Sequence, residues 1–368
     1  MAEASQPLYY HDYLQLDRLL SCQQPASERL GRPAHDELLF IVVHQAYELW
    51  FKQILHELDA VLDIFSGVVA DRDMLRAVGH LQRVAEIERL LVHQVDVLET
   101  MTPLDFLDFR DALVPASGFQ SLQFRLIENR LGVDPASRPL IAGSVYTTRF
   151  SSDHRRRIER TEAGPTLFSE VQAWLERTPF LALADFPFWH RYRGAVESSM
   201  AADRRAIEED PRLGDDERAR RLEAFDRSTA QHTAVFDLDR YAAHDPGYRP
   251  RLSHRAFEAA LLINLYRDEP VLQLPYRLLA TLMDVDEGLT NWRYRHALMV
   301  RRMIGGRMGT GGTSGYDYLY ESAERVRVFN DLFTLSTYLV PRAQIPPLPA
   351  DVERAMGFYL SSKADGTP

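Results

Sequence analysis

Two histidines of this sequence lie in the apolar stripes of long amphipathic segments. His44 stands in ELLFIVVHQAYELWFKQILHELD, where Phe40 precedes it by four residues and Tyr47 follows it by three. His296 stands in NWRYRHALMVRRMIG, four residues after Trp292 and in register with two methionines. Imidazoles on the apolar faces of two separate helices fit a large flat apolar cofactor such as haem, with one histidine on the iron and the other on its open side. The alternative is that each is an ordinary core histidine.

A cationic side chain in an apolar frame and a distant glycine-rich loop are further candidates for binding chemistry. Arg110 lies in FLDFRDALVPASGFQS, four residues after Phe106. Its guanidinium can bind a ligand carboxylate through two parallel hydrogen bonds, or it can pair with Asp108 or Asp111 as a structural arginine. The loop GTGGTSGYDYL at 309–319 can direct several backbone N–H groups at an anion, or it can be a flexible surface loop.

Residue spacing excludes several other kinds of site. None of the 12 histidines has a glutamate three positions before it, which excludes the Glu-x-x-His pair of di-iron bundles. The zinc motif HExxH and the common nucleotide-binding glycine loops are also missing. A histidine and glutamate one turn apart, His44 and Glu48, could ligate a metal, but the same Glu48 is well spaced for an ion pair with Lys52.

Composition and charge indicate the cellular setting. The single cysteine, Cys22, allows neither an intramolecular disulfide nor a CxxC motif. A net charge of −10, from 43 basic and 53 acidic residues, disfavours nucleic acid and anionic membranes as partners. The N-terminus does not have the pattern of a signal peptide, and no apolar run reaches the length that spans a bilayer. We therefore expect a cytoplasmic protein with no nucleic-acid and no membrane partner.

The elements that must position these residues are predicted to be helices throughout. Helical periodicity extends over 37–59, 74–100, 106–131, 261–304 and 329–339. A break at 115–118 predicts two helices in the third of these segments, and Asp286-Glu287-Gly288 predicts two in the fourth. Since no alternating strand pattern occurs, the sequence predicts one all-α domain over 1–368. A charged, partly helical insertion is expected at about 150–250 and a proline-rich tail at about 341–368.

Four long segments in this order resemble the tryptophan 2,3-dioxygenase family. They are HDELLFIVVHQAYELWFKQILHELD, LETMTPLDFLDFRDALVPASGFQSLQFRLIENRLG, LMDVDEGLTNWRYRHALMVRRMIGGRMGTGGTSGYDYL and VFNDLFTLSTYLVPR. The resemblance covers most of the chain outside about 150–250. It implies an all-helical haem-binding fold, noncovalent haem b, and cleavage of the C2–C3 bond of the indole ring of L-tryptophan with O₂ to give N-formyl-L-kynurenine. It also implies a cytoplasmic homotetramer.

The resemblance implies roles for the residues singled out above. The position of His296 is that of the proximal haem ligand, and the position of His44 is that of the distal histidine that meets the indole N–H. Arg110 and Thr310 match the residues that hold the substrate carboxylate.

Further matched positions complete the expected site. Phe40 and Phe106 match residues that line the substrate pocket, and Ser117 matches one near the haem edge. Tyr10, Tyr13 and Leu14, in LYYHDYLQLD, match an N-terminal arm (residues 1–20) that completes the site of a neighbouring subunit.

The sequence departs from the family at one position near the expected haem site, and it is compatible with two alternative functions. Val95 stands where some bacterial relatives have a tryptophan near the haem. A haem-dependent aromatic oxygenase that inserts one oxygen into a simple indole is one alternative, although it would not need a carboxylate clamp at Arg110 and Thr310. A non-catalytic haem sensor is the other.

Overall fold

The computed structural model describes residues 7–67, 69, 71–140, 145–179, 181, 186–243, 250–309 and 315–356. Regular structure in these ranges is helical, with no β-sheet, which confirms the predicted all-α class. The helices are α1 (Tyr10–Tyr13), α2 (Leu16–Leu20), α3 (Ala26–Arg29), α4 (Glu37–Phe65), α5 (Asp71–Leu98), α6 (Pro103–Arg110), α7 (Leu122–Leu131), α8 (Ser152–Glu162), α9 (Leu167–Glu176), α10 (Phe188–Glu208), α11 (Asp215–Thr233), α12 (Leu238–Ala243), α13 (His254–Leu265), α14 (Pro270–Ile304), α15 (Gly315–Arg325), α16 (Asn330–Thr334) and α17 (Ala350–Met356). Within the same ranges, no helix has the length and apolar character needed to cross a membrane.

Three long helices form the centre of the fold. Helix α5 packs against both α4 and α14, while α7 covers α4 and α15 covers α14. Their facing stripes are fully buried, with Leu58 of α4, Leu81 of α5 and Leu282 of α14 at 0% exposure. Burial of such apolar stripes is what stabilises long amphipathic helices. The two candidate histidines are carried by the first and the last of these three helices.

The expected helix break at Asp286-Glu287-Gly288 is wrong, because α14 runs without interruption from Pro270 to Ile304. The break between the two helices of this region lies earlier, between Leu265 and Pro270. Gly288 serves a different purpose. A Cβ at this position would lie 2.5 Å from Oε2 of Glu88 on α5, so glycine allows the close approach of α5 and α14. The glycine therefore indicates tight helix packing.

The expected break at 115–118 is confirmed. Helix α6 ends at Arg110, and α7 begins at Leu122 with Ser121 as its N-cap, whose Oγ accepts a hydrogen bond from the Phe124 N–H at 3.3 Å. Between the two helices the chain forms short 3₁₀ turns. The 117–121 segment thus lies outside both helices.

The charged middle of the chain is mostly helical in its described part, α8 to α12. Helix α8 packs on α7, and α9 packs on both α4 and α13. The start of α10 is buried through Phe188 and Tyr192. Helices α10 and α11 pack on each other and carry exposed ion pairs such as Arg193–Glu197 at 2.7 Å.

Candidate active site

A largely apolar cavity lies at the centre of the fold, between α4, α5, α6, α14 and α15. The 117–121 segment contributes Ser117, Gly118, Phe119 and Ser121 to its wall. Most of the remaining lining is aromatic or aliphatic: Phe40, Tyr47, Phe51, Val95, Leu98, Met101, Phe106, Phe124, Trp292, Met299, Val300, Met303, Ile304 and Leu319. Both candidate histidines and Arg110 also line it. A mostly apolar enclosure with a few polar groups is typical of a small-molecule or cofactor site.

His44 enters the cavity from α4 with a defined hydrogen-bonding state. Its Nδ1 lies 2.7 Å from the carbonyl oxygen of Phe40. A carbonyl only accepts, so Nδ1 carries the proton and Nε2 is left as an acceptor. Burial lowers the pKa of His44, while the Phe40 carbonyl and the charge of Glu48 partly oppose this effect. His44 is therefore neutral at pH 7.

His296 enters the same cavity from α14. Burial lowers the pKa of His296 to about 4, and the nearby His44 ring adds to the effect. Its ring lies at 30° to that of Trp292 with centroids 5.2 Å apart, which restricts its orientation. Nδ1 of His296 is buried and has no hydrogen-bond partner among the described residues. A buried ring nitrogen without a protein partner is a group that a ligand or an ordered water satisfies.

Phe40 packs against His44 and belongs to a cluster of three phenylalanines. The Phe40 ring lies 4.0 Å from the His44 ring, and the centroids of Phe106 and Phe109 lie 5.8 Å and 5.6 Å from that of Phe40. Phe106 and Phe109 meet edge to face at 5.4 Å. Phe40 and Phe106 line the cavity, with Phe109 buried behind them, and form an apolar wall suited to a flat aromatic ligand.

Arg110 reaches the cavity from the last residue of α6. Its Nη2 donates a hydrogen bond to the carbonyl of Met308, close to the start of the glycine-rich loop. Its ion pair with Asp111 is weak, at 3.9 Å, because the Asp111 side chain is 91% exposed. The Arg110 side chain is only 17% exposed. Most of the guanidinium charge is therefore shielded from water and only loosely paired.

Ser117 and Val95, which were compared with the family above, both line this cavity. Ser117 lines it and begins a 3₁₀ turn, where its Oγ accepts a hydrogen bond from the Phe119 N–H at 3.4 Å. Val95 of α5 lines it as well and is 2% exposed. The smaller side chain leaves more room at this point than a tryptophan would.

The remaining predicted site residues are Thr310 and three residues of the N-terminal arm. Thr310 lies outside the described residues, directly after Gly309, which does line the cavity. Tyr10, Tyr13 and Leu14 are 72%, 68% and 40% exposed and do not line the cavity of their own chain.

Three further charged residues line the cavity, and the sequence had singled out only the first of them, Glu48. Glu48 does not pair with Lys52 in the described chain; it accepts hydrogen bonds from Ser121 and Gln123. Arg125 and Arg293 also line the cavity. The spacing of Arg293, three residues before His296, places both on one helix face and would have indicated its position.

The two arginines share one buried carboxylate. Arg125 and Arg293 bind Glu128 at 2.8 Å and 3.0 Å. Burial alone would raise the pKa of Glu128, but the surrounding arginines lower it to about 2. This buried network joins α7 to α14 beneath the cavity.

A metal held by protein side chains alone finds no support in this geometry. No group of three or more His, Cys, Asp and Glu side chains in the described part of the chain is arranged to hold a metal ion. An iron at His296 would therefore need its other ligands from a non-protein group, as in haem. The neutral imidazole, the apolar walls and the unpartnered ring nitrogen fit such a group.

Comparison with known proteins identifies the family. A sequence model described as tryptophan 2,3-dioxygenase matches residues 1–339. A tryptophan 2,3-dioxygenase from Bdellovibrio bacteriovorus is 47% identical over 354 residues, which cover 96% of this chain and 99% of that protein. Proteins of the same name from Dictyostelium discoideum and Xenopus laevis are 41% and 47% identical, over 97% and 94% of this chain and 90% and 86% of their own length. The chain therefore belongs to the tryptophan 2,3-dioxygenase family and is an oxidoreductase of the dioxygenase class.

Proposed function

We propose that this chain uses O₂ to cleave the C2–C3 bond of the indole ring of L-tryptophan, giving N-formyl-L-kynurenine, with noncovalent haem b as its cofactor. The observation that carries the proposal is one apolar cavity that contains two neutral histidines, from α4 and α14, and the guanidinium of Arg110. Family membership supports the same reaction.

His296 is the residue that would hold the haem iron. A histidine must be neutral to donate a ring lone pair to a metal, and the pKa of about 4 keeps His296 neutral at physiological pH. When bound, haem supplies the iron chemistry through which O₂ reacts with the indole. The apolar walls around the site exclude bulk water from this reaction.

His44 and the phenylalanines would bind the indole. The Nε2 acceptor of His44 suits the indole N–H, because the bond from Nδ1–H to the Phe40 carbonyl fixes the tautomer. The rings of Phe40 and Phe106 provide a flat apolar surface for the indole faces. We assign His44 the role of orienting the reacting ring.

Arg110 would bind the substrate carboxylate together with Thr310. The hydrogen bond from Arg110 to the Met308 carbonyl brings the guanidinium close to the loop in which Thr310 lies. A carboxylate held at this end fixes which edge of the indole faces the cofactor, and such orientation lowers the barrier of a bimolecular step.

The assembly we propose is a homotetramer in the cytoplasm. The α1 region exposes large apolar side chains, among them Leu8 at 80% and Tyr9 at 68% exposure. Contiguous exposed apolar side chains of this kind are typical of a protein interface. We assign the N-terminal arm, with Tyr10, Tyr13 and Leu14, to the active site of a neighbouring subunit.

The decisive experiment is product analysis under ¹⁸O₂. Haem-loaded enzyme is reduced with ascorbate and incubated with L-tryptophan and ¹⁸O₂, and the product is analysed by mass spectrometry. We expect N-formylkynurenine with two labelled oxygen atoms. A single label would indicate an oxygenase that inserts one atom, and no product would indicate a haem-binding protein without this activity.

A further inference from the structure

Glu48 is the one carboxylate among the described residues that line the cavity. It lies one helical turn after His44 on α4. Its side chain forms no ion pair with a lysine or arginine in the described chain, although such pairs are frequent elsewhere on the surface, as between Arg193 and Glu197. A partly buried carboxylate needs other partners to offset the loss of hydration.

Those partners come from the start of α7. The Ser121 hydroxyl donates to Oε1 of Glu48 at 2.6 Å, and the Gln123 side-chain amide donates to Oε2 at 2.9 Å. The same amide group also lies 2.6 Å from the backbone carbonyl of Glu48. Hydrogen bonds to an ionised acceptor are roughly twice as strong as those between neutral groups.

The Glu48–Ser121 bond joins the 117–121 segment to another helix. The other hydrogen bonds of this segment in the described chain are local, such as Ser117 N–H to Gln120 and Ser121 N–H to the Gly118 carbonyl. The other long-range contacts of the segment are apolar. Phe119 packs on a buried cluster that includes Tyr146 and Tyr318, and its ring meets that of Tyr318 of α15 edge to face at 4.8 Å. Since the segment lies outside the α-helices, its place in the cavity wall depends on this apolar packing and on the polar bond to Glu48.

We propose that Glu48 is a positioning residue for the active site: its carboxylate holds the 117–121 segment against α4, so that Ser117 and Phe119 keep their places in the cavity wall. The inference rests on the proposed function in so far as this wall faces bound haem. A carboxylate suits this position because its two oxygens accept from Ser121 and Gln123 at the same time, and its charge strengthens both hydrogen bonds.

Substitutions of Glu48 should have graded effects. Glu48→Gln can still accept from Gln123 through its oxygen and donate to the Ser121 oxygen, but it loses the charge that strengthens the two hydrogen bonds. Glu48→Ala removes both. Glu57→Gln is the matched control, because Glu57 is a buried carboxylate of the same helix that pairs with His80 and Arg83 of α5 and does not line the cavity.

The first measurement is backbone hydrogen exchange in the 114–122 region of the haem-loaded enzyme. We expect exchange to be about tenfold to a hundredfold faster in Glu48→Ala than in the wild type, with Glu48→Gln in between. Glu57→Gln should lower the melting temperature without changing exchange in this region. Wild-type exchange in Glu48→Ala, or equal acceleration in Glu57→Gln, would overturn the proposal.

The second measurement is the rate at which haem leaves the protein, followed by its transfer to excess apomyoglobin. We expect a rate about tenfold higher in Glu48→Ala, a smaller increase in Glu48→Gln and no change in Glu57→Gln. If Glu48→Ala does not fold, Ser121→Ala removes one of the two donors and should raise the rate in the same direction; an unchanged rate there would contradict the proposal. Both readouts are independent of turnover, so a failure of the proposed reaction would appear separately, as missing N-formylkynurenine from the wild-type enzyme.

Discussion

At the scale of single residues, the surroundings of His44 and His296 give the same type of side chain two different roles. Burial lowers the pKa of both, so both are neutral at pH 7. His44 donates Nδ1–H to a backbone carbonyl, whereas Nδ1 of His296 finds no partner in the described chain. His44 is therefore set to accept a hydrogen bond through Nε2, whereas the neutral ring of His296 can donate a lone pair to a metal.

His296→Ala should lose most of its haem. Noncovalent haem at this site relies on one axial bond and on apolar contacts, and the substitution removes the axial bond. The ratio of Soret to protein absorbance in the purified protein measures the loss. His93→Ala is a suitable control, since the His93 side chain on α5 is 79% exposed. A His296→Ala protein with the full haem content of the wild type would contradict the assignment.

His44→Ala should keep its haem but react less well with L-tryptophan. One hydrogen bond to the indole N–H contributes about 0.5–1.5 kcal/mol, which corresponds to roughly 2- to 13-fold in catalytic efficiency. Steady-state kinetics at matched haem content test this. The role would be refuted if 1-methyltryptophan, which has no N–H, were turned over by the wild-type enzyme as well as tryptophan is.

Arg110→Ala should reduce catalytic efficiency toward L-tryptophan by roughly 30-fold to several thousand-fold, because a buried carboxylate left unpaired costs about 2–5 kcal/mol. Arg110→Lys should recover only part of this, since an ammonium does not form the two parallel bonds of a guanidinium. Tryptamine has no carboxylate, so its turnover should be low in the wild type and insensitive to the substitution. Equal losses toward both compounds would show that Arg110 is structural.

At the scale of helices, the contact between α5 and α14 contains two buried acids. Glu88 is 0% exposed, and neither of its carboxyl oxygens has a hydrogen-bond partner in the described chain. Burial and the neighbouring Asp286 raise the pKa of Glu88 well above its ordinary value, against the charges of Arg293 and Arg89. Burial also raises the pKa of Asp286, whose Oδ1 accepts a hydrogen bond from the Val328 N–H at 2.8 Å. The folded protein therefore keeps Glu88 protonated up to a higher pH than the unfolded chain does.

Glu88→Gln should remove part of the pH dependence of stability. Because the folded protein retains a proton that the unfolded chain releases, the stability that Glu88 contributes is present below the ordinary glutamate pKa. It is lost as pH rises toward the folded pKa, by at most about 1.4 kcal/mol per pH unit. We expect the glutamine variant to equal the wild type near pH 4 and to be more stable at pH 8. Urea unfolding at both pH values measures this.

A matched control for this experiment is Glu86→Gln on the same helix. The Glu86 side chain is 70% exposed and pairs with Arg89 on the surface, so its substitution should leave the pH dependence unchanged. If Glu88→Gln showed the same decline in stability between pH 4 and pH 8 as the wild type, Glu88 would be ionised in the fold.

At the scale of the whole molecule, the described part of the N-terminal arm exposes large apolar side chains to solvent. Tyr10 and Tyr13 are largely exposed, and α1 buries none of its residues. Exposed aromatic side chains at the start of a chain are suited to contact a neighbouring subunit.

Deletion of residues 1–14 should weaken tryptophan binding and loosen the proposed tetramer, because the arm would complete a neighbouring site. The KM for L-tryptophan and light scattering after size-exclusion chromatography measure the two effects. Tyr10→Ala with Tyr13→Ala, which keeps the arm in place, tests the side chains alone. A truncated protein that is monomeric and fully active would exclude a shared site.

The sequence by itself determined the features that depend on near neighbours along the chain. The spacing of apolar residues predicted α4 and α5, since side chains three and four residues apart share a helix face. The Pro-Ala-Ser-Gly sequence at 115–118 predicted the break before α7. The same apolar spacing placed His44 and His296 on apolar faces, and long matching segments indicated the family. These inferences needed no knowledge of which helices meet.

Only the tertiary structure decided the features that depend on contacts between distant segments. Gly288 was expected to end a helix, but it makes room for Glu88 of α5 inside an unbroken α14. The sequence offered Glu48 as a metal ligand or as an ion-pair partner of Lys52, yet its carboxylate binds Ser121, 73 positions away. A glycine or a glutamate has several possible roles with similar local energies. Which of them is realised depends on the neighbours that folding brings within a few ångströms, and local spacing carries no information about those neighbours.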